Sequence, residues 1–486
     1  MGVSETTAYH WRWAALSVLL VAEAMNLLDA TIVQVAAPVI HAHLPGPAAD
    51  LQWFSAAYTL PFAVALMLGG RLGDMFGRKR VFHIGIGGFV VASLACALAP
   101  SASFLIAARM IQGGAAALII PQTYGLIRAM FDGNERARAL GSIGPVMGLA
   151  AVLGPVLGGV LTHADVFGTS WRAVFLVNVP LGLAVLAAVP LLREDRATRR
   201  PGFDVGGTLL AAGAMGLLIY PVIQSSAFGW TPQLFGLLVT GGVLGLGFWF
   251  HQRWIAQRVS FASGLLDPRL IADRVFSAAL VCVLLVFAVI TGLTFVIELQ
   301  LQISLRADVL TGGLSVVPWS LASGITSWVA GTRLVPRYGP GIMRTGLLIL
   351  AFGLALACGI DAVWPAGVFP WPLLLALCIC GVGSSTFTLP FFTLAFGRTD
   401  AETAGSASGL LNSVQELGST LGIAALGAAY FAAPVGWSAS TALGLALVLV
   451  IIAIPAASAM LKAGREPLPI EPLPLVRGRV RSAYEH

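Results

Sequence analysis

Residues 70–80 read Gly70-Arg71-Leu72-Gly73-Asp74-Met75-Phe76-Gly77-Arg78-Lys79-Arg80, a basic, glycine-punctuated tract between apolar runs at about 52–70 and 81–99. Each run approaches the roughly 20 residues that carry an α-helix across a hydrocarbon core of about 30 Å. The glycines allow a tight return between the two runs. The unit is thus an apolar helix, a charged turn and a second apolar helix, and it recurs along the whole chain. Apolar spans lie at about 14–40, 52–70, 81–99, 103–127, 139–161, 173–192, 205–224, 233–252, 275–299, 312–332, 345–360, 371–396, 405–429 and 439–461, which predicts fourteen transmembrane helices.

Composition agrees with this pattern. Of the 486 residues, 57% are hydrophobic and only 10% charged, with a mean hydropathy of +0.87, whereas soluble domains carry roughly 25% charged residues. A transmembrane barrel would instead show alternating segments of about ten residues, and a disordered chain would lack the apolar content. The expected fold class is an all-α polytopic membrane protein.

Charge placement sets the topology. With the N-terminus cytoplasmic, 25 of the 28 basic residues fall on cytoplasmic segments, against Arg172 and Arg306 outside and Arg109 within a span. That asymmetry puts both termini in the cytoplasm. Spread over many turns rather than gathered in a stripe, these residues exclude nucleic acid as a partner and leave the lipid bilayer. No obligate protein partner is evident. The five cysteines lie in apolar runs and read as small buried hydrophobes.

The tract at 70–80 has a counterpart, Gly331-Thr332-Arg333-Leu334-Val335-Pro336-Arg337-Tyr338-Gly339. Each follows the second helix of a six-helix half, so the chain is expected to divide into residues 1–192, an insert of two helices at 193–274, a second half at 275–462 and a cytoplasmic tail at 463–486. Duplicated halves are a common way to build a transport site at the bilayer midplane.

Here the residues resemble a family. The tract at 70–80 is similar to the GxLaDrxGrkr motif of the major facilitator superfamily. The stretch Leu28-Asp29-Ala30-Thr31-Ile32-Val33-Gln34-Val35-Ala36-Ala37-Pro38 resembles the LDxTIVNVALP motif of its fourteen-helix drug:proton antiporters. Arg109-Met110-Ile111-Gln112-Gly113 resembles their RxxQG, and Gly154-Pro155-Val156-Leu157-Gly158-Gly159 their GPxxGG antiporter motif. The stretches 171–182 and 404–412 complete the set. The resemblance implies the major facilitator fold and proton-coupled export of amphipathic or cationic drugs and antibiotics across a bacterial cytoplasmic membrane. An endogenous metabolite or lipid is the alternative cargo. Gln34 replaces the usual Asn, Ala150 a Gly, and Val335 and Pro336 occupy the region where the first half has Asp74.

Several residues carry the expected chemistry. Asp29 lies near the middle of the first span, where an ionised carboxylate costs at least about 2.5 kcal/mol. It reads either as a proton or cation site or as a carboxylate satisfied by Thr31 or Asn26. Glu23 is six residues earlier, on another face of that helix, and is a second candidate. Glu416 is the acid within span 13, and Glu298, at the outer end of span 9, reads as interfacial. Arg109, the basic residue inside a span, must pair with Asp29, Gln112 or a backbone carbonyl. The gating set is Gly70, Gly73, Asp74, Gly77, Arg78, Lys79 and Arg80. Asp74 and Arg78 are spaced to pair, and the resemblance implies a cytoplasmic latch between helices that favours the outward-open state. Gly154, Pro155, Gly158 and Gly159 favour close helix packing.

Other chemistries are disfavoured. The sequence has no Walker A loop, no HExxH and no acidic cluster at a span end, so neither an enzyme nor a metal or cofactor is expected. The expected partners are a small-molecule substrate and protons. The 26 Arg to 2 Lys fit a GC-rich bacterial genome, and no Asn-x-Ser/Thr acceptor is present.

Overall fold

With no water in hydrocarbon to pair the backbone, a chain this apolar satisfies its N–H and C=O groups by coiling on itself. The computed structural model describes residues 9–165, 168–196, 202, 204–258, 270, 273–365, 367–397, 404–434 and 436–465. Every regular element among the described residues is helical. The tail beyond residue 465 lies outside them.

The helices run in order. They are α1 (Arg12–His43), α2 (Ala49–Phe76), α3 (Arg78–Ala97), α4 (Ala102–Met130, with a turn at 117–119), α5 (Gly133–Ala164) and α6 (Ser170–Leu191). Next come α7 (Val205–Phe228), α8 (Pro232–Arg258) and α9 (Arg274–Ser304, ending in a π turn). Then α10 occupies 309–338, built from Val309–Ser315, Val317–Val329, a π turn at Ala330–Leu334 and Val335–Tyr338. The last four are α11 (Ile342–Val363), α12 (Trp371–Phe396), α13 (Ala404–Ala432) and α14 (Ser438–Arg465).

Twelve stretches among the described residues are long and apolar enough to cross a membrane. One of the twelve, Val309–Val363, takes in both α10 and α11, and α13 is not among them. This coarser count is what length and composition support.

Local chemistry fixes the helix ends. Ser101 accepts from the Phe104 amide at α4, Asp273 from the amides of Val275 and Phe276 at α9, and Asp308 from the Leu310 amide at α10. The two related tracts also turn alike. Gly77 (φ +98°) ends α2 and Gly339 (φ +67°) ends α10, each in the left-handed region that a Cβ disfavours.

Helices α1 to α6 pack mainly on one another, as do α9 to α14, and α7 pairs with α8. The two bundles meet where α2 lies on α13, α5 on α10 and α1 on α9, while α7 leans on the α2–α13 seam. The outer face of α8 exposes Phe235, Val239, Val243, Leu246 and Phe250, as lipid contact requires. Polar contacts between the bundles gather toward the end opposite Arg78. Gln302 donates to the Val35 carbonyl (2.8 Å), Thr294 to Gln34 Oε1 (3.1 Å), and His163 pairs with Asp308 (2.9 Å).

Candidate functional site: a buried charge network in the first bundle

Asp29 and Arg109 meet at the centre of the first bundle. Both are fully buried, and burial in low dielectric makes an unpaired charge prohibitive. Arg109 Nη1 donates to Asp29 Oδ2 at 2.5 Å and to Gln112 Oε1 at 2.8 Å, and its Nε donates to the Phe54 carbonyl at 3.0 Å. The second carboxylate oxygen, Oδ1, accepts from Gln112 Nε2 (2.9 Å) and Asn178 Nδ2 (2.6 Å). Gln112 also donates to Ser93 Oγ at 2.8 Å. Helices α1, α3, α4 and α6 thus each contribute a side chain to one network around a single carboxylate.

Helical spacing explains the arrangement on α4. Residues 109 and 112 are three apart and share a face, so one turn presents a guanidinium and an amide to the same acceptor. Gly113 completes the motif sterically, because a Cβ there would collide with the backbone of Tyr58. The missing side chain lets α4 approach α2 closely enough for Arg109 to reach the Phe54 carbonyl. The guanidinium lies 4.4 Å from the Tyr58 ring centroid and 5.8 Å from that of Phe175, within cation–π range.

The expected local donors to Asp29 are engaged elsewhere. Thr31 Oγ1 bonds back to the carbonyls of Leu27 and Leu28, the usual behaviour of a mid-helix threonine. Asn26 accepts from the Tyr58 hydroxyl instead. Asn178 and Ser93 are the partners that sequence reasoning missed, while the backbone carbonyl expected for Arg109 is that of Phe54. An Asn inside the apolar 173–192 run was the available signal for the first of them.

The other acids stand apart from this network. Glu23 is 2% exposed and faces Thr123 on α4, and its Oε1 has no hydrogen-bond partner among the described residues. Glu416, on α13 beside Gln415, lies across the seam, where Thr420 Oγ1 donates to Thr59 Oγ1 at 2.7 Å. Tyr58 is within electrostatic range of Asp29, Arg109, Glu416 and Glu23. Glu298 corrects its interfacial reading: it is 1% exposed, because α1 and α10 cover the end of α9 that carries it.

The 70–80 tract folds against the segment after α6. Arg78 pairs with Asp74 at 2.6 Å and with Asp195 at 3.2 Å, and the Arg78 amide donates to the Asp195 carbonyl. The Lys79 amide reaches Glu194 (3.1 Å) and its Nζ the carbonyls of Leu192 (2.8 Å) and Pro190 (3.2 Å). Arg71 donates to the Gly202 carbonyl. A Cβ on Gly73 would overlap Gln122, whereas one on Gly70 would meet only Pro121, at an ordinary 3.8 Å, and Arg80 is exposed. The acidic partners Glu194 and Asp195 were invisible in the sequence motif, since both lie beyond the sixth span.

The GPxxGG glycines face two ways. Gly154 leaves room for Thr31, and a Cβ on Gly158 would come within 2.9 Å of the Ile32 carbonyl, both on α1. Gly159 instead faces α10, with its Cβ position 3.1 Å from Leu310 Cα, while Gly313 of α10 rests against the Pro155 carbonyl. The stretch is therefore a contact plate between the two bundles.

Comparison with known proteins bears on this architecture. The sequence profile described as Major Facilitator Superfamily matches residues 19–423. The chain is 40% identical over 424 residues to the "Probable actinorhodin transporter" of Streptomyces coelicolor, covering 87% of this chain and 73% of that protein. It is 34% identical to the "Puromycin resistance protein pur8" of Streptomyces alboniger (85% and 81% covered) and 34% to the "Tetracenomycin C resistance and export protein" of Streptomyces glaucescens (88% and 78%). Among solved structures, the fold is similar to an auto-inhibited POT family peptide transporter (TM-score 0.64, 16% identity, 95% and 99% covered). It is also similar to the E. coli xylose transporter XylE (TM-score 0.61, 12%, 91% and 98%).

Proposed function

This chain belongs to the major facilitator superfamily, a multi-pass membrane transporter and not an enzyme, and from that premise we propose that it exports amphipathic or cationic drugs and antibiotics in exchange for protons. The observation that carries the reading is the Asp29–Arg109 pair, 2.5 Å apart and fully buried at the junction of four helices. A carboxylate held by a guanidinium and two amides is a switchable acceptor: a proton on Asp29 cancels the charge that Arg109 and Asn178 are arranged to meet. Intramembrane ionisable residues of this kind mark proton and substrate pathways. Glu416 and Glu23 are the further acids of the pathway, and Gln112 positions Asp29. The names of the relatives support drugs and antibiotics as the cargo.

The chain crosses the bilayer fourteen times, in two six-helix halves with α7 and α8 inserted, and both termini are cytoplasmic. Support comes from the charge asymmetry, from the break at Gly339 that separates α10 from α11, and from the 29-residue length of α13. On this orientation the bundles touch at their outer ends, so the conformation is inward-facing. The Asp74–Arg78 pair, tied to Asp195, is formed in this inward-facing conformation and lies wholly within the first half, so it braces the cytoplasmic ends of α2 and α3 rather than locking one half to the other.

The reading is tested by loading bacteria that express the chain with a fluorescent lipophilic cation. Expressing cells are expected to hold less dye, and a protonophore to erase the difference. Equal accumulation with and without the chain, across a panel of cationic and neutral antibiotics, would refute drug export.

A further inference from the structure

One buried acid at the outer end of the molecule shares no hydrogen bond with the Asp29 network. Glu298 sits on α9 and is 1% exposed. Its Oε2 accepts from Gln302 Nε2 at 2.8 Å, and its Oε1 has no hydrogen-bond partner among the described residues. The same Gln302 amide nitrogen also donates to the Val35 carbonyl on α1. One turn inward, Thr294 bonds Gln34 of α1. From α10, Gly312 presses its backbone on the acid, with its Cβ position 2.5 Å from Oε2. Glu298 therefore lies in the contact where the second half, through α9 and α10, closes on α1 of the first.

Among the described residues, no positive charge meets it there. The charged and titratable groups on the surrounding elements are engaged or distant. On α1, His41 and His43 bond carbonyls at the helix end, and Asp29 belongs to Arg109. On α9, Arg274 stands at the opposite end, and Arg306, in the connection from α9 to α10, is exposed and forms no ion pair with the acid. Asp308, the cap of α10, pairs with His163 of α5, both half-exposed. Asp361 of α11 bonds Gln300 and Ser440, while Glu416 lies deeper on α13. An ionised carboxylate with one empty oxygen and no counter-charge opposes closure of this interface, whereas the neutral acid does not.

We propose that Glu298 is a proton-binding site of the outer gate: it holds a proton while α1, α9 and α10 are closed over it and surrenders that proton to the external medium when they part. The external proton then acts as the closing ligand after cargo has left, separately from any proton carried by Asp29. The inference rests on alternating access and on the outward placement of this end, not on Asp29 being the coupling group.

The test uses the full chain in lipid nanodiscs, without substrate. Native cysteines are replaced, spin labels are placed at Ala42→Cys and Val363→Cys on the outer ends of the two halves, and distances are read by pulsed electron resonance. Between about pH 5 and about pH 9, the separated population is expected to rise by roughly threefold or more in the parent protein. Glu298→Gln, a mimic of the protonated acid, should stay closed at every pH. Glu298→Asp should recover pH-dependent opening, which shows that the site tolerates substitution. His163→Gln should keep the parent profile. A Glu298→Gln protein that opens with the parent pH profile overturns the proposal, as does a parent protein whose outer distance ignores pH. Loss of the response in His163→Gln alone would assign the sensor to the His163–Asp308 pair instead. Failure of drug-driven proton exchange, measured separately, would refute the antiport reading and leave this result standing.

Discussion

Asp29 is held by three side chains, and each has a different job. Arg109 supplies charge, Gln112 supplies an amide that is itself fixed by Ser93, and Asn178 supplies the shortest neutral hydrogen bond to Oδ1, at 2.6 Å. Hydrogen bonds to charged groups contribute about 1.5–3 kcal/mol. Asn178→Ala is therefore expected to slow proton-coupled export by roughly tenfold or more while substrate binding stays near the parent value. Efflux rates against binding titrations in the same preparation check this, and an unchanged rate would remove Asn178 from the site. Arg109→Lys should fail more completely, because a lysine cannot bond Phe54, Asp29 and Gln112 at once in that fixed fork. At this scale the sequence was partly legible. An acid and a base inside apolar spans must find each other, so Asp29 and Arg109 could be paired on physical grounds. A backbone carbonyl was expected for Arg109, but neither its identity as that of Phe54 nor Ser93 could be anticipated, since a particular backbone acceptor and a small hydroxyl carry no signature until α2 and α3 are placed beside α4.

At the scale of elements, glycines set how closely helices approach. Gly113→Ala would drive a methyl into the Tyr58 backbone, pushing α4 off α2 and dragging Arg109 from its carbonyl. Export is expected to be lost and the melting temperature to fall, a shift that thermal unfolding in detergent reads directly. On the bundle seam, Gly313→Leu would wedge α10 away from the Pro155 carbonyl and hold the outer ends apart, so the spin-label distances described above should lengthen at all pH values. Short outer distances in that variant would contradict the plate reading. The GPxxGG motif suggested close packing, but its partners Leu310 and Gly313 lie about 150 residues away and only the fold reveals them. Asp74→Asn should slow cycling more than it weakens binding, since Asp74 touches Arg78 and no part of the Asp29 network.

The α7–α8 pair has its own polar clasp. Asp204, just before α7, takes hydrogen bonds from His251 (2.9 Å) and Gln252 (2.6 Å) of α8 and from the Gly207 amide (2.7 Å). Burial pushes its carboxyl up, but these donors outweigh burial and hold it below the usual carboxylate range. A depressed acid stabilises the fold above its unfolded-state value and loses that contribution as pH falls through the folded one. The α7–α8 pair should therefore loosen in acid, below the ordinary carboxylate range. Asp204→Asn should reproduce the loosening at neutral pH, at a cost of about 1–2 kcal/mol, as hydrogen exchange at the start of α7 would show.

For the whole molecule, the sequence spoke most clearly about architecture. Apolar run lengths and composition indicated a helical membrane protein, and the family follows from comparison over residues 19–423. Where α7 and α8 sit was not legible, because lipid-facing helices carry no pattern that names their neighbours. The structure places α7 on the α2–α13 seam. Reading the molecule as a proton-driven exporter makes its energy source the sharpest point of test. Purified protein is reconstituted with an internal pH dye, a lipophilic cation is added, and proton movement is followed for the parent chain and for Asp29→Asn. Substrate-dependent proton flux in the parent, abolished in a folded Asp29→Asn protein, is the predicted result; equal flux in the two proteins, or cargo movement with no proton flux in either, would contradict it.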